Sequence, residues 1–135
     1  MTNVTDTLQL TVRYAGDRTA VVSVAGDVDL HTASTLREQA LAVVAEGVPH
    51  LVLDLAEVDF VDSTGLSTLI RVLQATQAAD GSLRLADVPD RLVRMVTMTG
   101  ISQLMPVHTT VADALAAQHA DGTPDRVGGG GATAG

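Results

Sequence analysis

Asp62, Ser63 and Thr64 stand between two apolar segments, in the stretch V-D-F-V-D-S-T-G-L-S-T-L-I from Val58 to Ile70. A carboxylate and two hydroxyls placed where an apolar run stops and helical spacing starts have two uses. One is structural: Asp62 or Ser63 serves as the helix N-cap, its oxygen accepting from backbone N–H groups that have no partner inside the helix. The other is covalent. A hydroxyl at a helix start can carry a phosphoryl group, because the free amides and the positive end of the helix dipole accept the added charge. A phosphoserine brings about 1.5 to 2 negative charges, and Asp59 and Asp62 already lie close by in sequence. At an effective dielectric near 20, one close like-charge contact costs on the order of 4 kcal/mol. That is roughly a thousandfold in affinity, enough to turn a protein partner away.

Gly65 fits either use. A glycine in the first turn leaves the neighbouring hydroxyl open to an approaching surface, or it marks a close packing contact. It weakens the helix by about 0.5 to 1 kcal/mol relative to alanine in both cases.

The second polar constellation is G-D-V-D-L-H-T-A-S, Gly26 to Ser34. Asp27 and Asp29 are two apart on a turn, but two carboxylates without further oxygen ligands at the right spacing do not specify a cation site. Thr32 is expected to cap the helix that follows. His31, His50, His108 and His119 are scattered singly, which disfavours a metal cluster or a catalytic dyad. Asp54, at the end of a short apolar run, sits where a receiver domain would carry a phospho-accepting aspartate. That chemistry needs an acidic pair for Mg²⁺ and a lysine, and the chain has neither, so Asp54 is expected to solvate a strand end.

The elements that must hold these residues follow from pattern. L-Q-L-T-V-R-Y (Leu8 to Tyr14) and A-V-V-S-V-A-G (Ala20 to Gly26) alternate around a turn-forming A-G-D-R and predict an antiparallel hairpin. Ala33, Leu36, Ala40, Val43 and Val44 lie on one helical face, closed by Gly47 and Pro49. H-L-V-L-D-L (His50 to Leu55) is a continuous apolar run, as in a strand buried on both faces among parallel neighbours. Leu66, Leu69, Ile70 and Leu73 predict the next helix, followed by a strand at Ser82 to Ala86. A third helix after Pro89 is expected to turn Leu92, Val93 and Val96 inward, with Gly100 as a left-handed terminator. Leu104 to Val107 suggests a last edge strand, and Thr110 with Asp113 resembles a capping box for a helix through about Gln118. Strands alternating with helices after an opening hairpin give an α/β domain with a mixed sheet.

Composition narrows the function. The chain has 135 residues, 46% of them hydrophobic, which suits one domain rather than two. Sixteen acidic residues face eight basic ones, all arginine, so the surface repels nucleic acid and anionic lipid. Lysine and cysteine are absent, which removes Schiff-base chemistry, a P-loop lysine, thiolate nucleophiles and zinc–cysteine sites. With Tyr14 and Phe60 as the sole aromatics, no platform for stacking bases or sugars exists. The N-terminal residues have no signal-peptide pattern, and no apolar run reaches membrane-span length, so a cytoplasmic location is expected. Residues 121–135, Gly-rich with little to bury, are expected to form a disordered tail after a domain over 1–120. No catalytic residue and no cofactor is expected, so the chain reads as a non-enzyme.

G-D-V-D-L-H-T-A, then L-V-L-D-L-A-E-V-D-F-V-D-S-T-G-L, then G-S-L-R-L-A-D-V-P-D-R-L-V-R-M-V-T-M-T-G-I together resemble the STAS-domain anti-sigma-factor antagonists of bacteria. The likeness runs from about Leu8 to Ala117. It implies a single STAS domain, a mixed β-sheet with helices packed mainly on one face. It implies phosphorylation at the serine after the aspartate, Ser63. It also implies a partner-binding surface made by the turn at Asp27 and Asp29 together with Asp62, Ser63, Thr64, Gly65 and Leu66. The implied partners are an anti-sigma factor that is itself a serine kinase, released from its sigma factor by the unphosphorylated antagonist, and a PP2C-type phosphatase that reverses the modification. No direct contact with nucleic acid or membrane is implied. Many members carry a second glycine where this chain has Ser67, so Thr64 and Ser67 offer further hydroxyls. A different use of the same domain is as the cytoplasmic subunit of a lipid or anion transporter assembly, with D-S-T-G acting only as a helix cap.

Overall fold

The computed structural model describes residues 8–16 and 18–121. Among them the elements run β1 (Gln9–Tyr14), β2 (Thr19–Val28), α1 (Ala33–Ala45), β3 (His50–Val61), α2 (Ser63–Ala78), β4 (Ser82–Ala86), α3 (Asp90–Met98), α4 (Ile101–Leu104), β5 (Val107–His108) and α5 (Val111–Asp121). The glycine-rich tail expected from 121 onward lies outside the described residues except for Asp121, which closes α5.

The expected hairpin forms, β1 pairing antiparallel with β2 from Gln9 opposite Ala25 to Tyr14 opposite Ala20. β2, β3, β4 and β5 then run parallel, and the sheet order is β1-β2-β3-β4-β5. The continuous apolar run of β3 is explained by its central place, since both its faces are covered. Leu51, Leu53, Leu83, Leu85 and Val22 point into one core with Leu36 of α1, Leu69 and Val72 of α2, and Leu92 and Val96 of α3. Val21, Val52 and Ala86 point the other way and meet Ala114 of α5. Alternation across a strand makes this division automatic: successive side chains leave opposite faces. The helices therefore lie mainly on one face, with α5 alone on the other.

Four local expectations are corrected. β3 does not end at Leu55 but continues to Val61, still paired with β2. Register shifts fall between Ser23 and Ala25 and between Gly26 and Asp27, with an extra β3 residue at each. Such bulges break the period of two and bend the strand, which is why Ala56 to Phe60 did not read as strand. Asp54 consequently lies inside β3, where it accepts from Ser23 Oγ at 3.2 Å and from the Ala56 amide at 3.1 Å. Val93 of α3 faces solvent, 45% exposed, while Leu92 and Val96 are buried; α3 covers the core with a narrow stripe. Residues 104–107 split between the end of α4 and the start of the two-residue strand β5, because Gly100 restarts a helix after α3. Gly100 itself has φ +84°, the left-handed turn anticipated for it.

α5 is anchored through a polar cluster under its C-terminal half. Arg84, 6% exposed, points from β4 toward Gln118, whose Oε1 accepts from Ser82 Oγ at 2.7 Å and from Arg84 Nε at 3.4 Å. Thr110 Oγ1 accepts from the Asp113 amide at 3.0 Å, so the expected cap starts the helix.

Candidate functional site

β2 and β3 extend past their other neighbours and finish side by side, Val28 opposite Val61. The turn after β2 and the start of α2 are thereby brought together at one end of the sheet. Asp62 is the N-cap of α2, with extended backbone (φ −97°, ψ −173°). Its Oδ1 accepts from the Gly65 amide at 2.9 Å, and its Oδ2 accepts from the Leu30 amide at 3.1 Å. The Asp62 amide in turn donates to the Val28 carbonyl at 3.1 Å. One aspartate thus satisfies a helix-end donor and ties the Gly26–Ser34 turn to the helix start.

The two readings of D-S-T-G separate once the cap is identified. Ser63, the first residue of α2, is exposed, and its hydroxyl makes no hydrogen bond among the described residues. The backbone amides of Ser63 and Thr64 likewise have no acceptor there, as expected for the first turn of a helix. Thr64 is half-buried, and Ser67, one turn on, is exposed. Gly65 is buried: a Cβ there would stand 2.5 Å from the Val28 carbonyl oxygen and 2.8 Å from Val61 Cγ1. Packing therefore requires the glycine. Leu66 is partly buried against the core.

In the turn, Asp27 is exposed and Asp29 half-buried. Asp29 Oδ1 accepts from the His31 and Thr32 amides at 2.9 and 3.2 Å. Thr32 precedes α1 as expected, but its side chain makes no capping bond to the helix. Its hydroxyl donates back to the Asp27 carbonyl at 2.6 Å and accepts from the Asp29 amide at 3.0 Å. The reason is visible in D-L-H-T: aspartate readily bonds the amides two and three residues ahead, which leaves the threonine free to close the turn. The Asp29 carboxylate is committed to these amides, so the pair Asp27 and Asp29 does not converge on a cation.

Two apolar side chains at this end of the sheet were not anticipated as surface features. Leu30 is 70% exposed and Phe60 51% exposed. The available signal was a leucine inside the otherwise polar turn D-L-H-T. On the flank, Arg91 of α3 donates from Nη2 to the Val58 carbonyl at 3.1 Å and to Asp59 Oδ1 at 3.0 Å. It thereby covers part of the β3 edge that β4 does not reach.

Among the described residues no helix is long and apolar enough to cross a membrane. The constellation is a braced surface that presents the exposed Ser63 hydroxyl at the start of α2.

The family model for the STAS domain matches residues 12–114. An anti-sigma-B factor antagonist of Staphylococcus aureus is 32% identical over 92 residues, 68% of this chain and 85% of that protein. A crystal structure of an anti-sigma factor antagonist from Mycobacterium paratuberculosis superposes with a TM-score of 0.74 at 32% identity, over 84% of this chain and 96% of that one. The Bacillus cell fate determinant SpoIIAA in its phosphorylated form shares the fold, with a TM-score of 0.64 at 16% identity over 81% of this chain and 98% of that one. The chain belongs to the STAS domain family.

Proposed function

We propose that this protein is an anti-sigma-factor antagonist whose binding is switched by phosphorylation of Ser63. The observation that carries the reading is the division of labour at the start of α2: Asp62 makes the cap, and the Ser63 hydroxyl is exposed and uncommitted. A phosphoryl group can therefore be added without removing a bond that holds the helix. The Ser63 and Thr64 amides and the helix dipole favour the charge once it is there. The change is felt outward, by whatever rests on that surface. The relatives named antagonists of anti-sigma factors supply the class of partner.

In this reading the unphosphorylated protein binds an anti-sigma factor with serine kinase activity through Asp27, Asp29 and the segment Asp62 to Leu66, and the sigma factor is released. The kinase transfers phosphate to Ser63, and the complex separates. A PP2C-type phosphatase returns the protein to its binding state. The protein acts in the cytoplasm and is not itself an enzyme.

The test is to incubate the protein with purified anti-sigma kinases of its source organism and ATP, and to map phosphate by mass spectrometry. Phosphate on Ser63, tight binding by Ser63→Ala and weak binding by Ser63→Asp are expected. Modification at Thr64 or Ser67 alone, or equal affinity of the two variants, overturns the assignment.

A further inference from the structure

Leu30 is an exposed apolar residue, 70% accessible, on a firmly braced turn. Its own amide is held by Asp62 Oδ2, the next two amides by Asp29 Oδ1, and the turn is closed by Thr32 Oγ1 on the Asp27 carbonyl. An isolated apolar side chain on a surface is ordinary, but a mobile loop would present it at an entropic disadvantage. Here the backbone on both sides is fixed before anything binds, which is the condition for an anchor residue. Its tether, Asp62, is the chain neighbour of Ser63. At the same end of the sheet, exposed Phe60 lies opposite exposed Asp27 across the β2–β3 pair.

We infer that Leu30 is the central apolar anchor of the partner-binding surface, so that Ser63 lies in the dehydrated centre of the interface. Phe60 and Asp27 contribute to its outer part. The inference rests on the proposed switch and specifies its partner chemistry: the anti-sigma factor presents an apolar socket for Leu30, with basic residues toward Asp27. The exposed Asp27 carboxylate, which makes no hydrogen bond among the described residues, calls for a basic group opposite it.

The inferred placement also specifies how phosphate would act. If Ser63 were at the wet rim, the added charge would act through space and fade in salt, because the screening length falls to about 3 Å at 1 M. Beside a buried Leu30, the phosphate must instead be stripped of water, a loss that the Ser63 and Thr64 amides offset only in part. That penalty does not depend on bulk salt in the same way.

The experiment measures affinity for the purified anti-sigma kinase of the source organism, using wild type, Leu30→Ser, Leu30→Met and Ser63→Asp at 0.1 M and 1 M NaCl. Loss of a buried leucine contact predicts about a tenfold to hundredfold weakening for Leu30→Ser. Leu30→Met should stay close to wild type, and both variants should melt as wild type because the side chain is exposed. The Ser63→Asp defect should remain at least tenfold at 1 M NaCl. Wild-type affinity in Leu30→Ser, with Ser63→Asp still defective, overturns the anchor and leaves the switch standing. Disappearance of the Ser63→Asp defect at 1 M NaCl overturns the dehydrated placement. If wild type binds no anti-sigma factor, the switch and the anchor both fail.

Discussion

Asp62 holds Leu30 by a hydrogen bond of 3.1 Å that spans 32 residues of chain, while the other oxygen of the same carboxylate caps α2 at Gly65. A cap and a long-range tie thus depend on one side chain. Replacing a capping aspartate by alanine typically lowers stability by about 0.5 to 2 kcal/mol. Asp62→Ala also frees the Leu30 amide, so a loss toward the upper end, about 2 kcal/mol, is expected in urea denaturation. Asp62→Asn retains one acceptor and should lose less. Equal stability of Asp62→Ala and wild type would show that water replaces both bonds.

Gly65→Ala sets helix propensity against packing. On an open helix face the change would stabilise by up to about 1 kcal/mol. Here the new methyl meets the Val28 carbonyl oxygen at 2.5 Å and Val61 Cγ1 at 2.8 Å. The carbonyl is backbone of β2 and cannot swing aside. A net destabilisation of about 1 to 3 kcal/mol is expected, read from a chemical denaturation midpoint. A more stable Gly65→Ala would mean that α2 can lift from the strand ends without loss.

The hairpin, the alternating strands and helices and the Asp62–Ser63 junction were legible because each rests on local pattern. Leu8 to Tyr14 alternates, Leu66 to Leu73 has helical spacing, and an aspartate before Ser-Thr-Gly has few other uses. The second half of β3 was not legible. Its two bulges, one after Asp54 and one after Val58, shift Glu57 and Phe60 off a period of two, and bulges are fixed by the partner strand rather than by local sequence. Thr32 was misread for a related reason: its hydroxyl is drawn back to the Asp27 carbonyl and the Asp29 amide rather than forward to the first turn of α1, and that choice is made by the fold of the turn. The exposure of Val93 is likewise a tertiary outcome, set by how much of the core α3 has to cover.

The cluster beneath α5 makes a prediction about the helix that lies alone on its face of the sheet. Gln118 accepts from Ser82 and Arg84 in a buried setting. Gln118→Leu keeps the bulk but leaves the Ser82 hydroxyl and Arg84 Nε without that acceptor, at a cost of about 1 to 3 kcal/mol. Amide hydrogen exchange should accelerate in α5 before it does in α1 or α2. Uniform acceleration across all helices would show that α5 is not a separable unit.

His50 gives the pH dependence its sign. Arg84 has only donors, so the oxygen facing it must be Gln118 Oε1, and Ser82 must spend its one proton on that oxygen. Ser82 Oγ therefore accepts from His50 Nδ1, 3.0 Å away, which fixes the imidazole as carrying a proton on Nδ1. A second proton on Nε2 is resisted: partial burial, then the charges of Arg18 and Arg84, hold the His50 pKa below its ordinary value of 6.5. The unfolded chain, with the ordinary value, takes up that proton first as the pH drops. This contribution to stability is complete above pH 6.5 and is lost as the pH falls from there through the lower folded value. His50→Asn supplies an N–H donor for Ser82 but cannot titrate. Its melting temperature should fall less than that of wild type on going from neutral pH to below 6.5, with the carboxylates contributing equally to both proteins. Parallel melting curves for the two proteins across that range would remove His50 as the group responsible.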